Sequence, residues 1–483
     1  MILKKLPYAF LLLVLSTVFV SAQSQPCETQ RYIYAQDDTQ PSNTVQAFCI
    51  GSTGALTAVS GSPFETGGEG SGGGYLAATR AVVTNNGLRL YVSNEQSGTV
   101  AGFNIDRSTG VLTTITGSPW TMPGDNFAGT SIAVNADETF MYLGRGNGIA
   151  IMSIDPSTGE LNKTFSDLVL GPIINGLLAS PDKSILIAVS TDSDNFSVYI
   201  IESDGSLTPA NGSPYPATAA TNGAFNSTGT KFYLGRYANG VSVYSVGQAG
   251  QLSLEEDRPV SLAPQSLLVA PGDRAMYGAS PDGVLWRFDL DVNGAITGSQ
   301  VEEVGLQYST LAMPKSGSFL FVKSFFGGVR AYAINPANQV SLSLIDGAPF
   351  GVASQGMSLA ISEATSCSDS FSIQIRPPSS GTVNLSLQAS AQAVALISSC
   401  AVDTVSGIDY SSARFAGASP ITNRNSIRKE IYDVNGDGIN DVVLFFNIKT
   451  TTLSKFSTQA TLTVNGSSSG SFTASQSVRM VGK

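Results

Sequence analysis

The sequence contains no histidine among its 483 residues. This absence excludes catalytic triads built on histidine, zinc sites with histidine ligands, and acid–base catalysis by an imidazole. Charged residues are also scarce, at 13% of the chain, whereas hydrophobic residues make up 42% and glycine occurs 50 times. That balance is typical of a globular, turn-rich β protein and argues against disorder or a coiled coil.

Basic residues are also few, since lysine and arginine number 26 against 36 aspartates and glutamates. The formal net charge is −10, and removal of Lys4 and Lys5 with an N-terminal signal would make it −10 − 2 = −12. An acidic surface repels phosphate backbones and anionic lipids, so nucleic acids and bare membranes are poor partners. We expect a monomer that binds a protein or carbohydrate ligand.

Long apolar runs are confined to the N-terminus. The stretch MILKKLPYAFLLLVLSTVFVSAQS has a basic start, an apolar segment and small residues before a cleavage point after Ala22. These features predict a signal peptide over residues 1–22, and a secreted or periplasmic mature protein that does not insert into the membrane.

Only four cysteines occur, Cys27, Cys49, Cys367 and Cys400, with no C-x-x-C spacing. An even number in an exported chain predicts disulfides rather than metal or redox sites. Three pairings are possible. The favoured pairing, Cys27–Cys49 with Cys367–Cys400, keeps each bond within one region of the chain. The alternative is Cys27–Cys367 with Cys49–Cys400.

A short turn of the form Gly-x-hydrophobic-Thr/Ser recurs along the chain, often followed by Gly-Ser-Pro and an aromatic residue. It begins at Gly54, Gly110, Gly159, Gly205, Gly250, Gly294 and, with asparagine instead of glycine, at Asn338; the separations are 56, 49, 46, 45, 44 and 44 residues. A period in this range, with short alternating strands between the turns, predicts a β-propeller. Seven turns predict seven four-stranded blades.

The two ends of the repeat complete each other. RYIYAQ from Arg31 resembles a second strand without a first, and QGMSLAIS from Gln355 resembles a first strand without a second. Their pairing would close the ring and remove its open edges. We therefore predict an all-β chain, with a seven-bladed β-propeller over residues 27–363 and a C-terminal β-sandwich-like domain over residues 364–483.

The repeat also resembles a known family. LYVSN at Leu90–Asn94, followed by SGTVAGFNIDRSTGVLT, is similar to the YVTN repeat of the lactonase-type seven-bladed propellers, which include 6-phosphogluconolactonase. The resemblance covers roughly residues 31–363 and implies the propeller fold and lactone hydrolysis. Enzymes of this group use His, Arg and Glu side chains in the central channel, and this chain has no histidine to take that role.

The C-terminal domain contains the sequence DVNGDGIND, which resembles calcium loops of the EF-hand and FG-GAP types. Oxygen ligands at alternate positions suit Ca²⁺. The predicted ligands are Asp433, Asn435, Asp437, Ile439 through its carbonyl, and Asp441. Leu444 stands where an EF-hand has its bidentate glutamate, and a metal-free turn between strands is the alternative.

Several polar residues are placed by the repeat near one mouth of the channel. Arg145 and Arg236 end equivalent second strands, and with Glu95 they are the candidate catalytic residues, or else solubilising surface groups. The candidate ligand-binding residues are Asn175, Asn222, Gln265, Gln355 and Asp125. The alternative role of the amides among them is to satisfy the backbone groups of exposed strand ends.

Two functions fit these observations. The first is an exported propeller that binds a protein or carbohydrate at the channel mouth, with a calcium-stabilised accessory domain. The second is a lactone hydrolase in which an arginine polarises the carbonyl and a carboxylate activates water without histidine. A structural role in the cell envelope or matrix is a third possibility.

Overall fold

We analysed a computed structural model of the chain. It describes residues 27–73, 79–122, 131–163, 168–170, 172–237, 239–305, 307–324, 327–335, 338, 340–352, 356, 358–363, 372–376, 382–384, 391–397, 408–423, 426–432, 441–466 and 471–481. These residues form β-strands, turns and two short 3-10 helices, Gln248–Gly250 and Ile448–Thr450. No helix within this part of the chain is long and apolar enough to cross a membrane.

The first four blades follow one another along the chain. The side chains of their second and third strands are mostly buried on both faces instead of alternating with exposed ones, because each blade packs between two neighbours. The strands are β1 (Arg31–Gln36), β2 (Thr44–Ile50), β3 (Leu56–Ala58), β4 (Phe64–Glu65), β5 (Ala81–Val83), β6 (Arg89–Asn94), β7 (Thr99–Ile105), β8 (Leu112–Thr114), β9 (Trp120–Thr121), β10 (Ile132–Val134), β11 (Phe140–Arg145), β12 (Gly148–Ile154), β13 (Leu161–Lys163), β14 (Leu168–Val169), β15 (Gly176–Ala179), β16 (Ile185–Val189), β17 (Asn195–Ile201), β18 (Leu207–Pro209) and β19 (Tyr215–Pro216).

Blades 5 to 7 complete the wheel, and the last strand of this region belongs to blade 1. The strands are β20 (Ala220–Phe225), β21 (Lys231–Arg236), β22 (Gly240–Val246), β23 (Leu252–Arg258), β24 (Ser266–Val269), β25 (Ala275–Ser280), β26 (Val284–Leu290), β27 (Ile296–Val304), β28 (Tyr308–Ala312), β29 (Phe319–Ser324), β30 (Val329–Ile334), β31 (Leu342–Leu344) and β32 (Ser358–Glu363).

The described strands of this region form seven antiparallel sheets arranged in a closed ring. The innermost strands contact one another in the cyclic order β32, β5, β10, β15, β20, β24, β28 and back to β32. Strand β32 pairs with β1, from Arg31 opposite Glu363 to Gln36 opposite Ser358. The predicted seven-bladed propeller, closed by a late strand beside the first one, is confirmed.

A tyrosine in the second strand of five blades ties each of them to the next blade. Its hydroxyl donates a hydrogen bond to a carbonyl of the recurrent turn in that neighbour: Tyr34 to Gly110 (3.1 Å), Tyr91 to Gly159 (2.8 Å), Tyr142 to Gly205 (3.0 Å), Tyr233 to Gly294 (2.7 Å) and Tyr277 to Val340 (2.6 Å). The turn therefore recurs because it reverses the chain and also offers an acceptor to the preceding blade.

The Gly-Ser-Pro-aromatic motif has a separate task within the blade. The hydroxyls of Ser62, Ser118 and Ser213 each accept a hydrogen bond, 2.9 Å long, from a backbone N–H of the third strand. After the proline the chain pairs again with the third strand for two residues, as in β4, β9 and β19. The motif thus interrupts the fourth strand and does not end the blade.

The disulfide lies within blade 1. Cys27 and Cys49 are bonded, with their Cα atoms 5.6 Å apart. This confirms the half of the favoured pairing that lies in the propeller, and it excludes the rival Cys27–Cys367 bond because Cys27 is already used. Cys367 and Cys400 lie outside the described residues.

The C-terminal region folds into a β-sandwich, as predicted. Its strands are β33 (Ser372–Arg376), β34 (Thr382–Asn384), β35 (Ala391–Ile397), β36 (Ile408–Phe415), β37 (Thr422–Asn423), β38 (Ser426–Ile427), β39 (Lys429–Tyr432), β40 (Asp441–Asn447), β41 (Gln459–Gly466), β42 (Ser471–Ser477) and β43 (Arg479–Val481). The sheet β33-β35-β40-β39 and the sheet β36-β41-β42 share one apolar core, which includes Leu444, Phe446, Phe415 and Leu462.

Candidate active site at the upper mouth of the channel

We call the end of the channel where the innermost strands begin the upper mouth, and the other end the lower mouth. Serine hydroxyls join neighbouring blades at the upper mouth. Ser358 Oγ accepts hydrogen bonds from the backbone N–H groups of Arg80 (3.2 Å) and Ala81 (3.1 Å), and Ser131 Oγ accepts from Leu177 (3.1 Å). These hydrogen bonds fix the spacing of the innermost strands. The side chains that these strands carry therefore have defined positions.

A buried ion-pair cluster, which we call the Arg80 cluster, lies between blades 1 and 2 at this mouth. It consists of Asp38, Ser71, Arg80 and Glu95. Arg80 has no exposed surface, and its Nη1 lies 3.0 Å from Asp38 Oδ1 and 3.3 Å from Ser71 Oγ. Its Nη2 pairs with Glu95 Oε2, whose side chain is 15% exposed. Glu95 is therefore the most exposed of the three charged residues in the cluster.

The backbone around Asp38 is strained and closely packed. Asp38 has a φ of 53°, a left-handed conformation that is uncommon for residues other than glycine and concentrates at functional sites. The glycine-rich segment after blade 1 covers it: Gly72 N–H donates to the Asp38 carbonyl at 3.0 Å, and a Cβ on Gly70 would lie 2.3 Å from the Asp38 carbonyl carbon. Only glycine allows this approach.

A second cluster, the Lys323 cluster, lies between blades 7 and 1 and consists of Asp37, Thr44, Gln46 and Lys323. Asp37 accepts hydrogen bonds from Thr44 Oγ1 (2.6 Å) and Gln46 Nε2 (2.5 Å). Lys323 is fully buried and its Nζ donates to the Ser324 carbonyl at 3.1 Å. Burial lowers the pKa of the Lys323 ammonium to about 8, and the charge of Asp37 opposes this shift.

The two clusters are neighbours because Asp37 and Asp38 follow one another directly after β1. Asp38 is held by Arg80 of blade 2, and Asp37 interacts with the charge of Lys323 of blade 7. The upper mouth between blades 7, 1 and 2 thus gathers three carboxylates and two cations in a region of low solvent access. Such groupings of ionisable side chains are typical of active sites in enzymes.

The predicted arginines occupy equivalent positions but have different surroundings. Arg145 pairs in register with Gly148 and Arg236 with Gly240, each at the end of a second strand. Arg145 is only 3% exposed. Arg236 Nη2 lies 3.0 Å from Asp257 Oδ1 on the outer strand of the same blade. Arg236 is therefore directed away from the channel, and Arg145 is the stronger candidate.

The predicted amides that the structure describes serve the strand ends. Asn175 Oδ1 accepts hydrogen bonds from Thr191 N–H (3.1 Å) and Oγ1 (2.9 Å), and Asn222 Oδ1 accepts one from the N–H of Gly223 (2.8 Å). Gln265 is half-buried, and its backbone N–H donates to Ala279 at 2.9 Å. Asp125 and Gln355 lie outside the described residues.

The lower mouth is chemically different. It contains a cavity of about 320 Å³ whose walls are mainly aliphatic, with Leu268, Leu311, Leu359 and Ile361 among them. Lys315 and Glu363 lie at its rim, where the Glu363 carboxylate accepts a hydrogen bond of 2.7 Å from the Lys315 backbone N–H. The buried ion pairs lie at the opposite end, so we place the candidate active site at the upper mouth.

The predicted calcium loop lies almost entirely outside the described residues. Asp433, Asn435, Asp437 and Ile439 are not described, and Asp441 is the first residue of β40, opposite Tyr432. Among the residues that are described, acidic and cysteine side chains form no group of three able to hold a metal ion. The calcium site therefore stays a prediction.

We expect the wild-type protein to take up Ca²⁺ with a dissociation constant of about 0.1–1 mM, because the ligand set is incomplete and resembles weak extracellular sites. Asp437→Ala removes one oxygen ligand and is expected to abolish uptake in a calorimetric titration. Asp409→Ala, an acidic residue of the same domain on β36, is the control. Equal uptake by wild type and Asp437→Ala would reject the ligand assignment.

The propeller is similar to a known family and to several solved structures. Residues 77–220 match the family described as Lactonase, 7-bladed beta-propeller. No curated protein matches the chain. Among solved structures, a putative 6-phosphogluconolactonase from Bacteroides fragilis is 17% identical with a TM-score of 0.57, covering 69% of this chain and 98% of that one.

Two further structures are similar over the same region. A putative 6-phosphogluconolactonase from Bacteroides uniformis is 15% identical with a TM-score of 0.56, covering 68% of this chain and 98% of that one. The periplasmic gluconolactonase of Pseudomonas aeruginosa is 16% identical with a TM-score of 0.55, covering 69% and 99%. At such identities the likeness establishes the fold. The chain therefore carries a seven-bladed propeller, and its residues 77–220 match the lactonase family model.

Proposed function

We propose that the protein is an exported lactone hydrolase whose active site is the upper mouth of the propeller. The observation that carries this proposal is the Arg80 cluster, a buried arginine that holds the partly exposed Glu95 carboxylate beside the channel. The lactonase family match and the gluconolactonase named among the similar structures favour this activity over a binding-only propeller. The basic and apolar N-terminal stretch supports export.

Glu95 is the proposed general base. Its carboxylate takes a proton from water as the water oxygen attacks the lactone carbonyl carbon. Arg80 is a positioning residue, because its guanidinium lies between Asp38 and Glu95 and fixes the direction of the Glu95 carboxylate. The ring C–O bond then breaks, the ring oxygen takes up the proton that Glu95 received from water, and a hydroxy acid is released.

Arg145 is the proposed electrophilic residue. The carbonyl oxygen gains negative charge during the attack, and a guanidinium N–H donated to that oxygen stabilises the transition state. Arg145 ends β11 in blade 3, the blade that follows the one carrying Glu95. The proposed mechanism needs no histidine, since Glu95 supplies the base and Arg145 the electrophile.

A panel of sugar and aliphatic lactones tests the proposal. The wild-type protein is expected to hydrolyse at least one of them, and Arg145→Met is expected to lower kcat by about 100-fold, the effect of losing one such donor. Arg236→Met is the matched control, because that arginine has the equivalent position but pairs with Asp257. Equal losses in both variants would contradict the assignment of Arg145, and no hydrolysis of any lactone would reject the function.

A further inference from the structure

The aliphatic cavity at the lower mouth is part of the central channel. Its walls include Val83, Leu268, Leu311 and Leu359. These residues belong to β5, β24, β28 and β32, the innermost strands of blades 2, 6, 7 and 1, and these strands follow one another around the ring. A cavity enclosed by the innermost strands of four consecutive blades lies inside the ring and not in a crevice on its outer surface.

The aliphatic wall of the cavity begins directly below the Arg80 cluster. Leu359 follows Ser358 in β32, and the Ser358 hydroxyl accepts hydrogen bonds from the backbone N–H groups of Arg80 and Ala81. From Leu359 to Glu363 the strand advances by about 13 Å, in four steps of about 3.3 Å each. The residues that line the cavity therefore extend from the level of the Arg80 backbone to the lower mouth.

Apolar side chains in this cavity remain partly exposed. Val83, Leu268 and Ile361 are half-buried although they stand on innermost strands, and with Leu311 and Leu359 they surround a volume of about 320 Å³. That volume lies within the range of small-molecule sites, whose walls are predominantly apolar. Covering such walls is favourable for an apolar ligand, whereas a polar ligand would give up its hydrogen bonds to water.

The charges at the rim of the cavity balance each other. Lys315 and Glu363 lie there, joined by the hydrogen bond from the Lys315 backbone N–H to the Glu363 carboxylate. Among the described residues that line the cavity, no other is charged. A rim with one positive and one negative charge selects neither an anion nor a cation, which leaves the aliphatic walls as the feature that decides binding.

We infer that the lower half of the channel binds an aliphatic chain, and that this chain is the alkyl substituent of an uncharged lactone whose ring lies at the upper mouth. This inference rests on the proposed function and specifies its substrate class. The lactone ring lies at Glu95 and Arg145, and its alkyl group extends past Ser358 into the cavity. The walls then favour alkyl lactones over lactones substituted with hydroxyl groups, because a hydroxyl group placed there would lose its hydrogen bonds to water.

A series of γ-lactones with methyl, butyl, hexyl and octyl side chains tests the inference. The full chain is expected to show a kcat/KM that rises about fourfold for each methylene group that the cavity buries. The change should appear in KM and leave kcat unaltered, because the alkyl chain contacts the walls equally in the ground state and in the transition state. A kcat/KM that stays constant from methyl to octyl would overturn the inference.

Leu268→Asn makes one wall of the cavity polar at nearly constant size. It is expected to lower kcat/KM for the octyl lactone by about tenfold and to leave the methyl lactone unaffected. Leu178→Asn is the matched control, because Leu178 is also the third residue of an innermost strand, β15 of blade 4, and is also half-buried, but lies outside this cavity. Equal losses in the two variants would contradict the inference, since a weakened fold would then explain both.

Calorimetric titration with n-octanol separates the cavity from the reaction. We expect n-octanol to bind to the wild type and to Leu178→Asn, and to bind more weakly to Leu268→Asn. Binding without any effect of chain length on kcat/KM would assign the cavity to a separate amphiphile and overturn the substrate class. Binding without hydrolysis of any lactone would reject the proposed function and leave the hydrocarbon site, whereas hydrolysis with neither binding nor chain-length dependence would reject the site and leave the function.

Discussion

Arg80→Ala is expected to lower the free energy of unfolding of the propeller by about 3–5 kcal/mol, the usual cost of removing one partner from a buried ion pair. The substitution leaves the Asp38 carboxylate, which has no exposed surface, without the guanidinium 3.0 Å away. Urea denaturation followed by tryptophan fluorescence measures the change, since Trp120 and Trp286 both lie in the propeller.

Arg89→Ala provides the control for this experiment. Arg89 belongs to the same blade, and its described hydrogen bonds run to the carbonyls of Pro156 and Ser157 in an exposed region. Its loss is expected to cost about 1 kcal/mol, the contribution of ordinary hydrogen bonds. If both variants lose the same stability, Arg80 does not act through a buried ion pair and the cluster described above is wrong.

Glu95→Gln is expected to reduce kcat for lactone hydrolysis by about 10²- to 10⁴-fold, the range for loss of a general base. The amide keeps the shape of the side chain and can still accept a hydrogen bond from Arg80, but it cannot take a proton from water. The substrate affinity is expected to change little, so the effect should appear in kcat and much less in KM.

Glu65→Gln is the matched control for Glu95→Gln. Glu65 lies in β4 on the same side of the wheel, is exposed, and accepts a hydrogen bond from Ser42. Its substitution is expected to leave kcat unchanged. A Glu95→Gln protein that retains half of the wild-type kcat would show that another group activates water.

The blades could be predicted from the sequence because the turn and strand patterns that define them are local and recur in each blade. The turns from Gly54 to Asn338 mark each blade, and the strands between them alternate with a period of two residues. The closing strand β32 could also be predicted, since the repeat begins and ends in mid-unit. The C-terminal sandwich followed from a loss of the period together with new alternating strands.

The Arg80 cluster could not be predicted in the same way. Asp38 and Arg80 are 42 positions apart in the chain and belong to different blades, and no spacing rule links them. A weaker signal was available for single residues. Arg80 precedes the apolar strand Ala81–Val83, and Lys323 stands inside FLFVKS, so each is a charged residue where the wheel is buried.

The predicted Arg236 shows the limit of reasoning by equivalent positions. The repeat correctly placed Arg145 and Arg236 at the same point of two blades. In blade 5, however, the fourth strand continues through Leu252–Arg258 without the Gly-Ser-Pro interruption and brings Asp257 beside Arg236. The partner of an equivalent residue depends on insertions and interruptions that the repeat does not specify.

The pairing of β1 with β32 sets the order of events as the protein is made. Arg31 emerges from the ribosome early, yet its partner Glu363 emerges only after six further blades. The ring therefore cannot close before synthesis of this region is nearly finished, because the two strands are far apart in the chain and bringing them together carries a large entropic cost. The pairing of β32 with β1 thus makes closure of the ring the last step in the folding of the propeller.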